Sequence, residues 1–162
     1  VDWVMKDLRI LSLNVQTMPK EYGVRFADLS KYPYRSVCLF SSHDMPTLRL
    51  WWDEDLEVAQ DYYETVLYHT GAAPHPLPGW LAREIVVRQM QTPSMLCIVQ
   101  LQDWLATDER IRQSDPTGER VYVPANPFHY WRYRMPMTID SLKADRDFVN
   151  SIKDIVGETG RY

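Results

Sequence analysis

Cysteine is scarce in this sequence. There are two in 162 residues, each inside a short apolar run, Val37-Cys38-Leu39 and Leu96-Cys97-Ile98. Neither run carries a CxxC pair or the Cys/His spacing of a metal or redox site, so no zinc or other metal is implied. Buried, reduced thiols of a cytoplasmic protein are the expectation, ahead of a disulfide. An excess of basic charge is also lacking. Lys and Arg number 18 against 22 Asp and Glu, a formal net charge of -4. That balance leaves no electrostatic footprint for nucleic acid or an anionic membrane. No stretch approaches the ~18 consecutive apolar residues of a membrane span, and no basic-then-apolar leader opens the chain. The first residue is Val and not Met, which is expected of a processed product or a fragment.

What is present is an ordinary globular composition, 45% hydrophobic and 25% charged, with enough apolar material for one core. The unusual number is aromatic: 6 Trp, 10 Tyr and 4 Phe. Such a set suits either a ligand with flat apolar faces and polar edges, such as a sugar ring, or the filling of a core. Composition alone leaves both open.

Three apolar runs read as strands, at residues 8–15, 36–40 and 94–101. The second and third are continuous and not alternating, as expected of parallel strands covered on both faces. Helical spacing recurs between them. Ala59, Tyr62, Tyr63, Val66 and Leu67 form one apolar stripe, closed by Gly71 and Pro74. Ala82, Ile85, Val86 and Met90 form another, and Leu142, Val149, Ile152 and Val156 predict a single helix over 139–156. Residues 1–6 read as the tail of a helix. The order is α/β with parallel strands in one domain. Two long polar connections, 17–34 and 108–136, have no regular pattern, and their aromatic and basic content argues for a functional loop over a disordered one.

The stretch Ser41-Ser42-His43-Asp44 follows the second run directly. His43 and Asp44 therefore sit at the C-terminal end of a parallel strand, where ligands bind in such folds. A plainer alternative is a turn in which Asp44 caps the next helix. Gln16 leaves the first strand at the same end, and Gln102 and Asp103 leave the third; a structural role suits Gln16 and a helix cap suits Asp103. Trp51 and Trp52 follow at helical spacing, one expected beneath the sheet and the other free to stack on a ligand. Glu54 and Asp55 read as a solvated helix start.

Four segments, in order, resemble the amylomaltase or disproportionating-enzyme family of 4-alpha-glucanotransferases in the alpha-amylase superfamily. They are Gln16-Thr17-Met18-Pro19-Lys20, the approach from Tyr32-Pro33-Tyr34 to Ser42-His43-Asp44, Val99-Gln100-Leu101-Gln102-Asp103-Trp104-Leu105, and Trp131-Arg132-Tyr133-Arg134. The likeness is to the family's long form and extends over nearly the whole chain. It implies a (β/α)8 barrel and retaining transfer of alpha-1,4-glucan segments between maltooligosaccharides, without metal or organic cofactor. Asp44 would then be the carboxylate that stabilises the transition state, and His43 a hydrogen-bond donor to a sugar hydroxyl or a residue orienting Asp44. Gln16, Trp51 and Trp52 would be substrate-binding. Tyr122-Val123-Pro124-Ala125 and Tyr130-Trp131 depart from the family's substrate-facing loop, and Arg120, Trp131, Arg132 and Arg134 read there as structural clamps.

A complete barrel needs ~250 residues. The Arg-Ile-Asp and Glu-Asp-Leu-Gly motifs that carry the family's nucleophile and acid/base are absent from these 162 residues. Val1-Asp2-Trp3-Val4 is similar to the helix just downstream of the latter. The resemblance therefore implies that residues 1–162 are the C-terminal segment of the catalytic barrel, about strands six to eight with their helices and no second domain. Such a piece would be inactive alone, would need the N-terminal half of the barrel, and would dimerise through exposed strand edges. The rival expectation is a non-catalytic glucan-binding or structural piece.

Overall fold

The computed structural model describes residues 2–128, 131 and 133–161. A helix α1 (Asp2–Asp7) leads to β1 (Ser12–Val15), then β2 (Ser36–Leu39). Three helices follow, α2 (Leu48–Glu54), α3 (Leu56–Thr65) and α4 (Gly79–Met90), before the short β3 (Leu96–Cys97). The chain closes with α5 (Leu101–Ala106), α6 (Ile139–Ala144) and α7 (Arg146–Glu158). The strands form one parallel sheet in the order β1-β2-β3, with Ser12 opposite Ser36 and Cys38 opposite Cys97. Both cysteines are free; Cys38 is buried and Cys97 half-buried. No helix among the described residues is long and apolar enough to cross a membrane.

The first strand is shorter than its apolar run predicts because the run's start finishes α1. Arg9 adopts the left-handed conformation at φ 56°, and the Ile10 N–H reaches back to the Met5 carbonyl. That pattern ends a helix and leaves residues 8–10 outside the sheet. The third run is likewise split. Met95 and Ile98 donate to carbonyls of Tyr34 and Cys38, but the chain then turns into α5 at Leu101. The predicted helix over 139–156 is two helices. Asp145 is the last residue's cap for α6 and the first cap for α7, its carboxylate accepting from the Phe148 N–H at 3.0 Å.

The core lies between the sheet and helices α2 to α4. Trp52, Tyr62, Leu48, Leu77, Leu81 and Ile85 are fully buried there. Phe26, Phe40, Trp51 and Tyr62 meet edge to face at 5.0–6.3 Å between centroids, the geometry that aromatic quadrupoles favour. Much of the aromatic content is therefore core. Because Phe26 belongs to this cluster, the connection over 17–34 is held to the helices, and Arg25 pins it further with an ion pair to Asp61 at 2.8 Å. Gly79 lets α4 start against the end of α5: a Cβ there would lie 2.9 Å from the Thr107 carbonyl oxygen.

Candidate active site

The turn that joins β2 to α2 holds His43 and Asp44. It exists because Ser42 both accepts the Asp44 N–H on its hydroxyl, at 3.3 Å, and gives its carbonyl to the Met45 N–H. The two side chains are half exposed and lie 3.2 Å apart, His43 Nε2 to Asp44 Oδ1. Asp44 does not cap the next helix. Thr47 does, its hydroxyl accepting from the Leu50 N–H, which leaves the Asp44 carboxylate free for the solvent side. The His43 ring lies against Trp131 at 4.7 Å, and Trp131 against Tyr122 at 5.5 Å. Trp131 remains 61% exposed. A half-exposed carboxylate, an imidazole and a partly exposed indole thus lie together past the C-terminal end of the central strand.

Gln16, Trp51 and Trp52 are not brought to that place. Gln16 is 2% exposed; its amide donates to the Ala27 carbonyl and accepts the Tyr62 hydroxyl at 2.6 Å. It is a bracket between the 17–34 connection and α3. Trp52 is wholly buried, with its indole N–H donating to the Pro74 carbonyl at 2.9 Å, so it has no face to offer a sugar. Trp51 is half-buried and edge-on to Phe26, Phe40 and Tyr62. The indole beside His43 is that of Trp131, which the sequence reads as a clamp. Arg120 is a clamp, pairing Glu54 of α2 at 3.1 Å. Tyr130 and Arg132 lie outside the described residues.

Beneath the turn is a buried polar layer that the spacing of motifs did not reveal. Asp103, in the first turn of α5, is not the cap of its own helix, which begins after Gln100. One carboxylate oxygen accepts the Ser41 hydroxyl at 2.5 Å and the other the Leu48 N–H at 2.8 Å. Gln100 donates to the same Ser41 oxygen at 2.6 Å. Glu119 arrives from the 108–136 connection, accepts the Thr47 hydroxyl at 3.0 Å and pairs with the buried Arg49 guanidinium. Burial pushes Asp103 up to about 6, against the pull of the Ser41 and Leu48 donors. It raises Glu119 as well, opposed by Arg49. Among the described residues, no three His, Cys, Asp or Glu side chains gather as a metal site.

This geometry can grip polyhydroxylated rings: a carboxylate and an imidazole for hydroxyl groups, and an indole face for the apolar side of a sugar. Comparison with known proteins gives the family. The 4-alpha-glucanotransferase family matches residues 1–139. A 4-alpha-glucanotransferase DPE2 from Oryza sativa subsp. japonica is 38% identical over 158 residues, covering 98% of this chain and 17% of its own length. A 4-alpha-glucanotransferase of Chlamydia muridarum (strain MoPn / Nigg) is 26% identical over 128 residues, 74% of this chain and 22% of that one. In fold, the chain is similar to an amylomaltase from Streptococcus agalactiae solved in complex with acarbose. The TM-score is 0.69 at 15% identity, covering 99% of this chain and 29% of that one. The chain thus spans between about a sixth and a third of the length of the relatives it matches. With the family matched over most of its residues, this chain belongs to the 4-alpha-glucanotransferases.

Proposed function

We propose that these residues are the C-terminal part of a (β/α)8 catalytic barrel, in a cytoplasmic enzyme that moves alpha-1,4-glucan segments between maltooligosaccharides with retention. The observation that carries this reading is the position of Asp44, half exposed beside His43 and Trp131 at the end of the central parallel strand. In a retaining reaction one carboxylate attacks the anomeric carbon and a second protonates the leaving oxygen. Asp44 serves as a third. As the ring flattens and charge grows at the anomeric centre, its hydrogen bonds to ring hydroxyls tighten, and that differential lowers the barrier. His43 donates to a neighbouring hydroxyl. Trp131 supplies a flat face that favours a sugar acceptor over water.

The nucleophile and the acid/base belong to the part of the barrel outside these residues. In support, the carboxylates around the turn are committed to the structure: Asp103 to Ser41 and Leu48, Glu119 to Thr47 and Arg49, Glu54 to Arg120, and Asp55 to the start of α3. The test uses maltotriose. In the full-length enzyme carrying this segment, Asp44→Asn is expected to lower disproportionation by about 10²–10³-fold, the loss typical of removing one preorganised transition-state contact, with folding retained. Near-normal turnover would overturn the role of Asp44. The 162-residue chain alone is expected to release no glucose from maltotriose; measurable turnover by it would overturn the placement of the other two carboxylates.

A further inference from the structure

We propose that Asp103 is a positioning residue for Asp44, fixing where the Asp44 carboxylate stands by holding both ends of the loop that carries it. The inference rests on the reading of Asp44 given above and adds a residue to it.

Within the loop between β2 and α2, the Ser42 turn and the His43 contact with Trp131 are the local restraints. His43 and Asp44 are exposed and Met45 and Pro46 only half-buried, so the turn has no core of its own. Its two ends are different. Ser41, two residues past β2, and Leu48, the first residue of α2, are 2% and 0% exposed. Both are bonded to the same carboxylate, one to each oxygen. Asp103 itself is 1% exposed and belongs to another element, α5, more than fifty positions along the chain. A single rigid group therefore sets the distance across the mouth of the loop. Glu119 reinforces the α2 side through the Thr47 hydroxyl and Arg49.

The chemistry at Ser41 is directional. Its oxygen already accepts from Gln100, and its proton goes to Asp103. An amide at position 103 keeps an acceptor for the Leu48 N–H but turns a second N–H₂ donor toward Ser41, whose own proton then has no acceptor. A buried donor left without a partner is costly enough to shift the segment that bears it. Small displacements at a catalytic group are expensive: about 1 Å can cost on the order of 10²-fold in rate. Loss of position acts on the transition state more than on ground-state binding.

The experiment is a kinetic cycle in the full-length enzyme with maltotriose. Asp103→Asn is expected to lower kcat by about ten- to a hundredfold, with KM within about twofold and the circular dichroism of the parent. In an Asp44→Asn background the same change should add nothing, because the group it positions is gone. Ser41→Ala, which removes the other half of the contact without adding a donor, should lower kcat in the same direction, and it serves as the probe if Asp103→Asn does not fold. A folded Asp103→Asn or Ser41→Ala enzyme with kcat within about twofold of the parent would overturn the proposal, as would full additivity with Asp44→Asn. If Asp44→Asn is itself near-normal, the reading of Asp44 falls first. If Asp44→Asn is dead while Asp103→Asn is not, only the positioning role falls.

Discussion

Asp103 shows how much one buried carboxylate does in this chain. Water is excluded from it, and two donors partly replace what water would supply. Its ordinary value is 3.8 and burial pushes it up to about 6. Between about pH 4 and about 6 the folded protein thus keeps a proton on Asp103 that the unfolded chain gives up. By linkage, the stability this group contributes is fully present below about pH 4 and is lost as pH rises to about 6. Glu119, raised in the same direction, adds to the slope. The expected outcome is that Asp103→Asn, which cannot ionise, flattens part of the fall in Tm between about pH 4 and about 6, measured by calorimetry against the parent. The Glu119 part should persist. An unchanged slope would mean that Asp103 is already ionised at pH 4 in the folded state.

At the scale of elements, the caps decide what the apolar stripes could not. The periodicity over 139–156 is continuous, and it reads as one helix because hydrophobic spacing carries no mark of a break. Asp145 makes the break by spending its carboxylate on the Phe148 N–H, and a single polar residue inside a stripe is an ordinary solvated position until its hydrogen bonds are known. The same device starts α3. Asp55 accepts the Glu57 and Val58 N–H groups at 3.1 and 3.0 Å, satisfying two of the donors that every helix start leaves open. Asp55→Ala should cost the typical ~1 kcal/mol of a lost cap. In hydrogen exchange read by mass spectrometry, the peptide over 55–58 should then exchange about fivefold faster, with α7 unaffected. No change in that peptide would show that the rest of the turn, and not the cap, holds the helix start.

At the scale of the whole molecule, adjacency in sequence and adjacency in space part company. His43 and Asp44 were legible because covalent continuity with β2 puts them at its C-terminal end whatever else the fold does. Trp131 was not, and of Trp51 and Trp52 the sequence indicates one core residue without saying which. An indole looks the same in sequence either way, and only packing from distant segments leaves Trp131 61% exposed and Trp52 wholly buried. Asp103 was visible as a motif residue, but its partner Ser41 lies 62 positions away, and no local pattern encodes that meeting. The parallel order of the sheet was legible from its continuous apolar runs, which imply cover on both faces.

That cover ends at the edges. In β2, Ser36, Cys38 and Leu39 are buried, whereas Leu13 of β1 is 54% exposed and Leu96 of β3 47%, with Ile98 beside it at 54%. Both outer strands present unpaired backbone groups next to exposed apolar side chains, the combination that recruits another strand. The 162-residue chain on its own is therefore expected to self-associate. Size-exclusion chromatography with light scattering should give a mass above the 19.1 kDa of one chain, rising with protein concentration. Leu13→Lys and Leu96→Lys, which place a charge on each edge, should move the mass back toward a single chain, because a lysine resists burial against a second strand. A mass that stays at 19.1 kDa across concentrations would mean that these edges are shielded by their own side chains. In the full-length enzyme the same two substitutions should instead be destabilising, since there the proposed neighbouring strands of the barrel would occupy both edges. Relief of self-association in one context together with loss of stability in the other separates a self-sufficient sheet from a piece of a larger one.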